Sequence, residues 1–544
     1  MFGVPLTLWL GSRREASIAA RVLCFPALAL LLVAAELAFS RGGFLAMIIG
    51  CAVWFAFSSR RLRSLAVLLP SLFATGLISL WIFSNTELIT DRISLDLRVE
   101  AGAELAGALI LLLIFATTLG FATDQLIRWY PLRSKERKLV GICVLVGCTF
   151  FVLVAMIGVS LQPGGIPQRV ENAVASFTDP SVATPDNSPN RLLKSGSVRA
   201  RYWDEAFRLW QENEWVGVGA EAYQTARLRI RTDELAVAHA HGYVPQTLAD
   251  LGLIGLSLSL LTVVAWLASA TGTLRRGRGL PISREREHER DGLVALVALV
   301  VTFGIHSTID WTWFVPGNAI VALLAAGWVA GRSPLRFEAL KLSNRERKSE
   351  PDQSAEAPAP HGKFTSLLVS ARVQRGLRIT TALGLVITGL LGAYVIWQPK
   401  RSADAASSAI EALAAGDLKR ANQLANDANE YDPLALFPIT SQAAVLERMG
   451  DKQGAAKKLE QGVSQQPSNP RSWEALGLYQ LEKLNQPAQA LKTLQAVVFL
   501  DPKGNSTQIA YFAAIDKLTP PMLVALGEKG VKTLDDLADL AADE

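Results

Sequence analysis

Residues 22–58, VLCFPALALLLVAAELAFSRGGFLAMIIGCAVWFAFS, contain two apolar runs either side of a Ser-Arg-Gly-Gly step, and only Glu36 and Arg41 carry charge. A helix of about 20 apolar residues crosses roughly 30 Å of hydrocarbon and satisfies its own backbone polar groups. The pattern recurs along the chain and predicts nine transmembrane helices, at about 22–40, 42–58, 64–84, 102–122, 139–161, 251–271, 292–310, 316–331 and 379–397, the second and eighth being short. The expected fold class is therefore all-α, a polytopic helical membrane protein.

Composition agrees. Of 544 residues 50% are hydrophobic and 19% charged, against about 25% charged in soluble domains, and mean hydropathy is +0.26. A disordered or purely cytosolic chain is excluded. Cys24, Cys51, Cys143 and Cys148 all lie in apolar runs, so they build neither a disulfide framework nor a thiolate metal cluster. The net charge of +5 comes from basic residues clustered between apolar runs, a topology signal and no sign of nucleic-acid binding. Arg13 and Arg14, then Arg60, Arg61 and Arg63, then Arg128, Arg133, Lys135, Arg137 and Lys138 occupy alternate connections, as do the basic runs at 275–290 and 332–348. Cytoplasmic loops carry such an excess. The intervening loops are acidic or neutral, which predicts an inside N-terminus and an outside C-terminus.

Residues 1–10 are apolar but too short to span, lack a following cleavage site, and read as the remnant of an earlier helix, with no signal peptide. The domain reading is helices one to five over 1–161, a large outer loop over 162–250, helices six to eight over 251–331, a disordered cytoplasmic linker over 332–378, and helix nine at 379–397. A repeat domain at 403–515 and a helical cap at 516–544 follow on the outside.

In that repeat domain Gly416-Asp417 recurs as Gly450-Asp451 and loosely at Leu484-Asn485. Ala421, Ala455 and Ala490 share one position, and Pro433, Pro467 and Pro502 close the units. A period near 34 with a small residue at the helix crossing and a terminal proline is the tetratricopeptide signature, an α-solenoid of antiparallel helix pairs with a concave face for partners. Trp473, Leu476 and Gly477 match the start of the repeat consensus. The tail after Leu518 is similar to a helix-hairpin-helix unit, with Gly527 and Gly530 in the hairpin, but it is net acidic and repels phosphate.

The candidate chemistry lies at the outer face. Ionisable groups at the bilayer edge are functional candidates by default, and Glu36 and Arg41 lie there, open also to a structural ion pair or a snorkelling anchor. In the outer loop, Trp203, Phe207 and Trp210 form one stripe of an amphipathic helix and are expected to be core. Arg199 and Arg201 enter its first turn, where the helix dipole opposes a cation, as if kept for an anionic ligand. After Gly217 and Gly219 and the basic run Arg227, Arg229 and Arg231 come His239 and His241, just before the bilayer. With no Asp, Glu or Cys at ligand spacing the pair is not read as a metal site; a neutral histidine suits proton abstraction from a hydroxyl. His306 and Asp310 stand four apart at the end of helix seven, followed by interfacial Trp311 and Trp313. A mutual hydrogen bond is the simpler account of that pair.

In this order, the SRGG element, the arginine four residues before a tryptophan on a helix leading to GVG, and the HAH…LADLGLIG stretch resemble the O-antigen ligase and polymerase superfamily of bacterial membrane glycosyltransferases, in particular members with a C-terminal tetratricopeptide array. The resemblance covers about residues 20–330. It implies a GT-C-like membrane fold, an undecaprenyl-diphosphate-linked glycan as donor and a glycan or lipid acceptor. It further implies a periplasmic active site, no cofactor, catalysis without metal, and a new glycosidic bond formed with inversion. Carried over residue by residue, it assigns catalysis to Arg41, Arg199 and His241, with Arg201, Arg227, Arg229, His239, Glu36, His306 and Asp310 as further substrate-binding candidates. Gly242 departs from the family by replacing the usual polar residue after the histidine, and the N-terminal helices are fewer than expected. Other envelope-assembly proteins are the expected partners of the repeats. The rival reading is a non-catalytic membrane scaffold that recruits them.

Overall fold

A computed structural model describes residues 1–90, 93–161, 165–179, 199–235, 237–275, 284–332 and 371–517. Every regular element among them is helical. They divide into two units, Met1–Tyr223 with Val237–Pro351, and Gln224–Ala236 with Asp352–Glu544.

In the first unit α1 (Gly3–Ser12), α2 (Ile18–Leu37), α3 (Arg41–Phe57) and α4 (Arg61–Ser84) are followed by the short α5 (Thr86–Ile89), then α6 (Leu95–Trp129) and α7 (Ser134–Ser160). The loop region carries α8 (Gly165–Thr178), α9 (Arg199–Glu212) and the start of α10 (Tyr223–Ala226). Last come α11 (Tyr243–Arg275), α12 (Arg284–Ile309) and α13 (Pro316–Gly331). Ser17 caps α2 and Ser40 caps α3, each accepting a hydrogen bond from a first-turn amide. The ten-residue α1 does not span, yet Val4 and Leu8 are fully buried against α2 and Trp54 of α3.

Each of the nine expected apolar segments falls on a helix, four of them running one to three residues past its end. Among the described residues six helices are long and apolar enough to cross a membrane, namely α2, α4, α6, α11, α12 and the first helix of the second unit, while α3 and α13 are shorter apolar helices. Their outward faces present large apolar side chains, such as Leu80, Leu111 and Leu261, as lipid-facing helices must.

Helix α11 departs from the expected single span. Gly252 breaks it, with φ +62 and ψ −160. Residues 214–219 cross the break: the amides of Val218 and Gly219 donate to the carbonyls of Ala249 and Asp250 at 2.8 and 3.0 Å, and those of Leu253 and Ile254 donate to Glu214 and Trp215 at 2.8 and 3.1 Å. The backbone groups freed by the break are thereby satisfied. Gly217 and Gly252 permit it, since both have positive φ and a Cβ on either would come within 2.5 Å of the other segment's backbone.

In the second unit α14 (Ala371–Ala414) leads into α15 (Leu418–Tyr431), α16 (Leu436–Arg448), α17 (Lys452–Gln465), α18 (Pro470–Glu482), α19 (Pro487–Leu500) and α20 (Asn505–Asp516). Each helix packs on the next. The sequence equivalences recur as structure: Gly416 and Gly450 have φ +82 and +90 at helix ends, and Asn485 takes the same region at +53. Asp417 and Asp451 then cap the following helices by accepting from the amides of Arg420 and Gly454. Ala421, Ala455 and Ala490 are fully buried at the crossings.

Three expected boundaries move. No break separates helix nine from the repeats, because α14 runs through Pro399 as one helix of 44 residues. Residues 371–378, assigned above to the linker, already belong to it, and segment 224–236 of the expected outer loop groups with the second unit. Most of the linker and the cap after residue 517 lie outside the described residues.

Candidate active site

Asp310 is the hub. It follows the last residue of α12, and its Oδ2 accepts from Arg199 Nη2 at 2.9 Å while its Oδ1 lies 3.3 Å from His241 Nδ1. The amide of Trp311 donates to Oδ1 at 2.9 Å, and His306 Nε2, one helical turn back, stands 3.9 Å from Oδ2. Burial pushes the Asp310 carboxyl up. The hydrogen bond with His241, the Arg199 guanidinium and the Trp311 amide overcome this and hold it down at about 2. The carboxylate is thus ionised at neutral pH and fixes the His241 ring through Nδ1, which assigns Nδ1 as the protonated nitrogen and leaves Nε2 with the lone pair.

Three sequence-distant elements build this cluster. Arg199 opens α9, His241 sits in the turn before α11, and Asp310 ends α12. The start of α3, whose first residue is Arg41, packs against the end of α12: a Cβ on Gly42 would lie 2.6 Å from Ile309 Cδ1 and 3.9 Å from His306 Cδ2. Arg201 lies half-buried on α9, two residues beyond Arg199.

His241 is held by its surroundings. Its φ is +52, a region that non-glycine residues occupy at some cost and that recurs at functional sites. Tyr202 stacks on the ring with centroids 5.6 Å apart, and Trp203 Nε1 donates to the His241 carbonyl at 3.3 Å. The same indole explains Gly242, since a side chain there would start 2.9 Å from Trp203 Nε1. Behind the turn runs a buried polar relay. The Ala240 amide donates to Gln246 Oε1 at 2.7 Å, Gln246 Nε2 to Asp250 Oδ2 at 2.8 Å, and the Tyr223 amide to Asp250 Oδ1 at 2.9 Å. The Tyr223 hydroxyl then reaches Glu205 at 3.1 Å.

The other candidates divide. His239 is sandwiched, its ring centroid 4.1 Å from that of Phe314 and 5.4 Å from that of Trp311. Burial, and then the charge of nearby His241, push it below the ordinary histidine value against the pull of Glu221. Glu36 accepts a hydrogen bond from the Ser79 hydroxyl of α4, a helix that contributes nothing to the Asp310 cluster described above. Arg227 and Arg229 belong to the second unit, where fully buried Arg227 folds back on its own loop, donating to the Leu235 carbonyl at 2.9 Å. In that unit Arg231 grips Asp501 at 2.7 Å.

The aromatic stripe on α9 is a correction. Its buried face is Tyr202, Glu205, Ala206 and Leu209, whereas Phe207 is 43% exposed. Placing Glu205 against Tyr223 turns the tryptophans to the flanks. Tyr202, Tyr223, Gln246 and Asp250 are absent from the sequence reading. The available signal was Gln246 and Asp250, two polar residues one turn apart in an otherwise apolar helix. Among the described residues no group of three or more His, Cys, Asp or Glu is placed to hold a metal ion.

No curated protein matches the chain. A family model described as O-antigen ligase matches residues 26–260, a span that contains Arg41, Arg199 and His241 and stops short of Asp310. Six helices able to cross a membrane, together with this match, support a membrane protein of the O-antigen ligase and polymerase superfamily, with a glycosyltransferase-type activity.

Proposed function

We propose that the chain is an inverting, metal-independent membrane glycosyltransferase that polymerises or ligates an undecaprenyl-diphosphate-linked glycan. In this reading the chain crosses the inner membrane nine times, works at the outer face, and carries a tetratricopeptide array on that side. The observation that carries the proposal is the meeting of Arg199 and His241 on one carboxylate, Asp310, at the end of α12 against which the start of α3 packs. Transfer breaks the bond between the anomeric carbon and the diphosphate oxygen, and forms one from that carbon to the acceptor oxygen. The departing diphosphate gains negative charge, which guanidinium groups at Arg41 and Arg199 stabilise. The acceptor hydroxyl gives its proton to His241 Nε2, while Asp310 holds Nδ1 and stabilises the imidazolium that forms. Asp310 is thus a positioning residue.

The test is replacement of Arg41, Arg199 and His241 by Ala, one at a time, in a cell that makes the glycan and depends on this chain. His241→Ala is expected to abolish transfer at unchanged membrane abundance, and both arginine variants to reduce it severely. Normal polymer length and attachment with all three would reject the assignment. The scaffold reading has its own support in the recurring helix pairs of the second unit. Truncation after Ala415, which leaves α14 whole, separates the two: an enzyme retains turnover with altered chain length or partner choice, and a scaffold loses function altogether.

A further inference from the structure

Helix α2 has charged residues gathered at both ends. Its C-terminal end leads to Arg41. At its N-terminal end, about 30 Å away for a helix of this length, lies a cavity of about 230 Å³ between the chain after α1, the first turns of α2 and α4, and the last turns of α6. Arg14, Arg21, Arg63, Arg128 and Asp124 line it, with Phe25 on an apolar wall. Its volume is several times what one water needs.

The arginines fall into two pairs. Arg21 is a structural clamp, bonding Asp124 through Nε at 2.8 Å and Nη2 at 3.2 Å and donating to the Arg14 carbonyl at 3.1 Å. Arg128 shares the same carboxylate at 3.0 Å. Asp124 is therefore already saturated by two cations. Arg14 and Arg63 form no ion pair among the described residues, yet both face the same cavity. Four arginines around one carboxylate repel one another unless an anion enters, and two guanidinium forks converging on a small concave space match a tetrahedral oxyanion.

We infer that this cavity is a binding site for a phosphate group, at the end of the bundle remote from the Asp310 cluster. Because it opens among helices able to cross a membrane, a phospholipid headgroup can reach it laterally, with its acyl chains lying along the apolar wall. A free phosphate can also reach it from solution. The inference stands independently of the glycosyltransferase reading.

The test uses the full chain purified in neutral detergent and follows its thermal unfolding midpoint during titration with phosphatidylglycerol, phosphatidylcholine, or inorganic phosphate at constant ionic strength. Phosphatidylglycerol is expected to raise the midpoint and phosphatidylcholine to leave it in place. In the R14Q/R63Q variant the half-saturating concentration should rise about ten-fold or more, the loss expected for charge-assisted hydrogen bonds. R14K/R63K keeps the charge that directs membrane insertion but loses the planar fork, and is expected to lie between the two. Arg61→Gln, which removes an exposed neighbour outside the cavity, should respond as the parent does. A shift produced equally by inorganic phosphate, with none added by the lipid, assigns the site to a soluble anion. No shift with either anion, or a parental response from R14Q/R63Q, overturns the site.

Discussion

Helix α12 carries a histidine and an aspartate at each end, and the two ends have opposite fates. At its start, Asp291 is fully buried and saturated: it accepts from the Ser59 amide at 3.0 Å, the Ser59 hydroxyl at 2.6 Å and Arg60 Nε at 3.1 Å. His288 bonds Arg60 with one ring nitrogen and faces Glu15 at 2.9 Å with the other. At its finish, Asp310 and His241 keep 20% and 29% of their side-chain surfaces exposed. The residue types are the same and both clusters reach the surface, with His288 and Glu15 at 21% and 41% exposed, so the difference lies in the carboxylates: Asp291 is enclosed and Asp310 is not. A carboxylate near a membrane edge is thus a candidate for chemistry where it still meets solvent, and an enclosed one whose lone pairs are taken is a clamp.

The sharpest way to break this contrast is to cut each hub and read both activity and stability. Asp310→Asn retains the shape but not the charge that orients His241, and is expected to lower transfer by about 100-fold or more while the protein still folds. Its pH–rate profile should shift as well, and Asp310→Glu should recover part of the rate. An Asp310→Asn enzyme with parental rate and profile would reduce the open end to a second clamp.

Asp291→Ala should do the reverse. Removing the carboxylate leaves Arg60 with only partly exposed Glu15 at 3.5 Å and the Ser12 carbonyl at 3.3 Å and leaves the Ser59 donors unmet, a loss on the order of 2–3 kcal/mol, readable as a lower unfolding midpoint in detergent. Turnover per folded molecule should stay near normal.

A smaller effect sharpens the electrostatics. An unfolded aspartate titrates near 3.9, while Asp310 in the folded chain titrates at about 2. Ionisation therefore favours the folded state above about pH 4, by an order of 2 kcal/mol, and this contribution fades as pH falls towards about 2. The stability difference between parent and Asp310→Asn should shrink over that window when followed by thermal unfolding against pH.

The apolar helices, and the turns and caps that recur after residue 403, were legible in the sequence because each rests on a local period. The repeat register shows this: Gly416 and Gly450 take positive φ, and Asp417 and Asp451 cap the helices that follow. The candidate site was legible only as a set of separate residues. Arg199, His241 and Asp310 were all singled out, but the carboxylate joining the first two is 111 and 69 positions away from them, and no local pattern encodes such a meeting. The break at Gly252 was hidden for a similar reason. An apolar run does not announce that residues 214–219 will cross it, and the glycine that permits the crossing looks like any other in a membrane helix. The partners of Glu36 and the orientation of α9 were not legible either, since the Ser79 hydroxyl and Tyr223 reach them from distant positions.

The unbroken course of α14 has a mechanical consequence. Its apolar first half and the helix that starts the repeat stack share one backbone, a rod of about 66 Å at 1.5 Å per residue. A swivel between anchor and solenoid has no loop in which to form. Pro399, which removes one backbone hydrogen bond of the helix just after the apolar stretch, is a place where the rod can bend, so a tilt of the apolar half reaches the first hairpin through a proline joint in place of a loop.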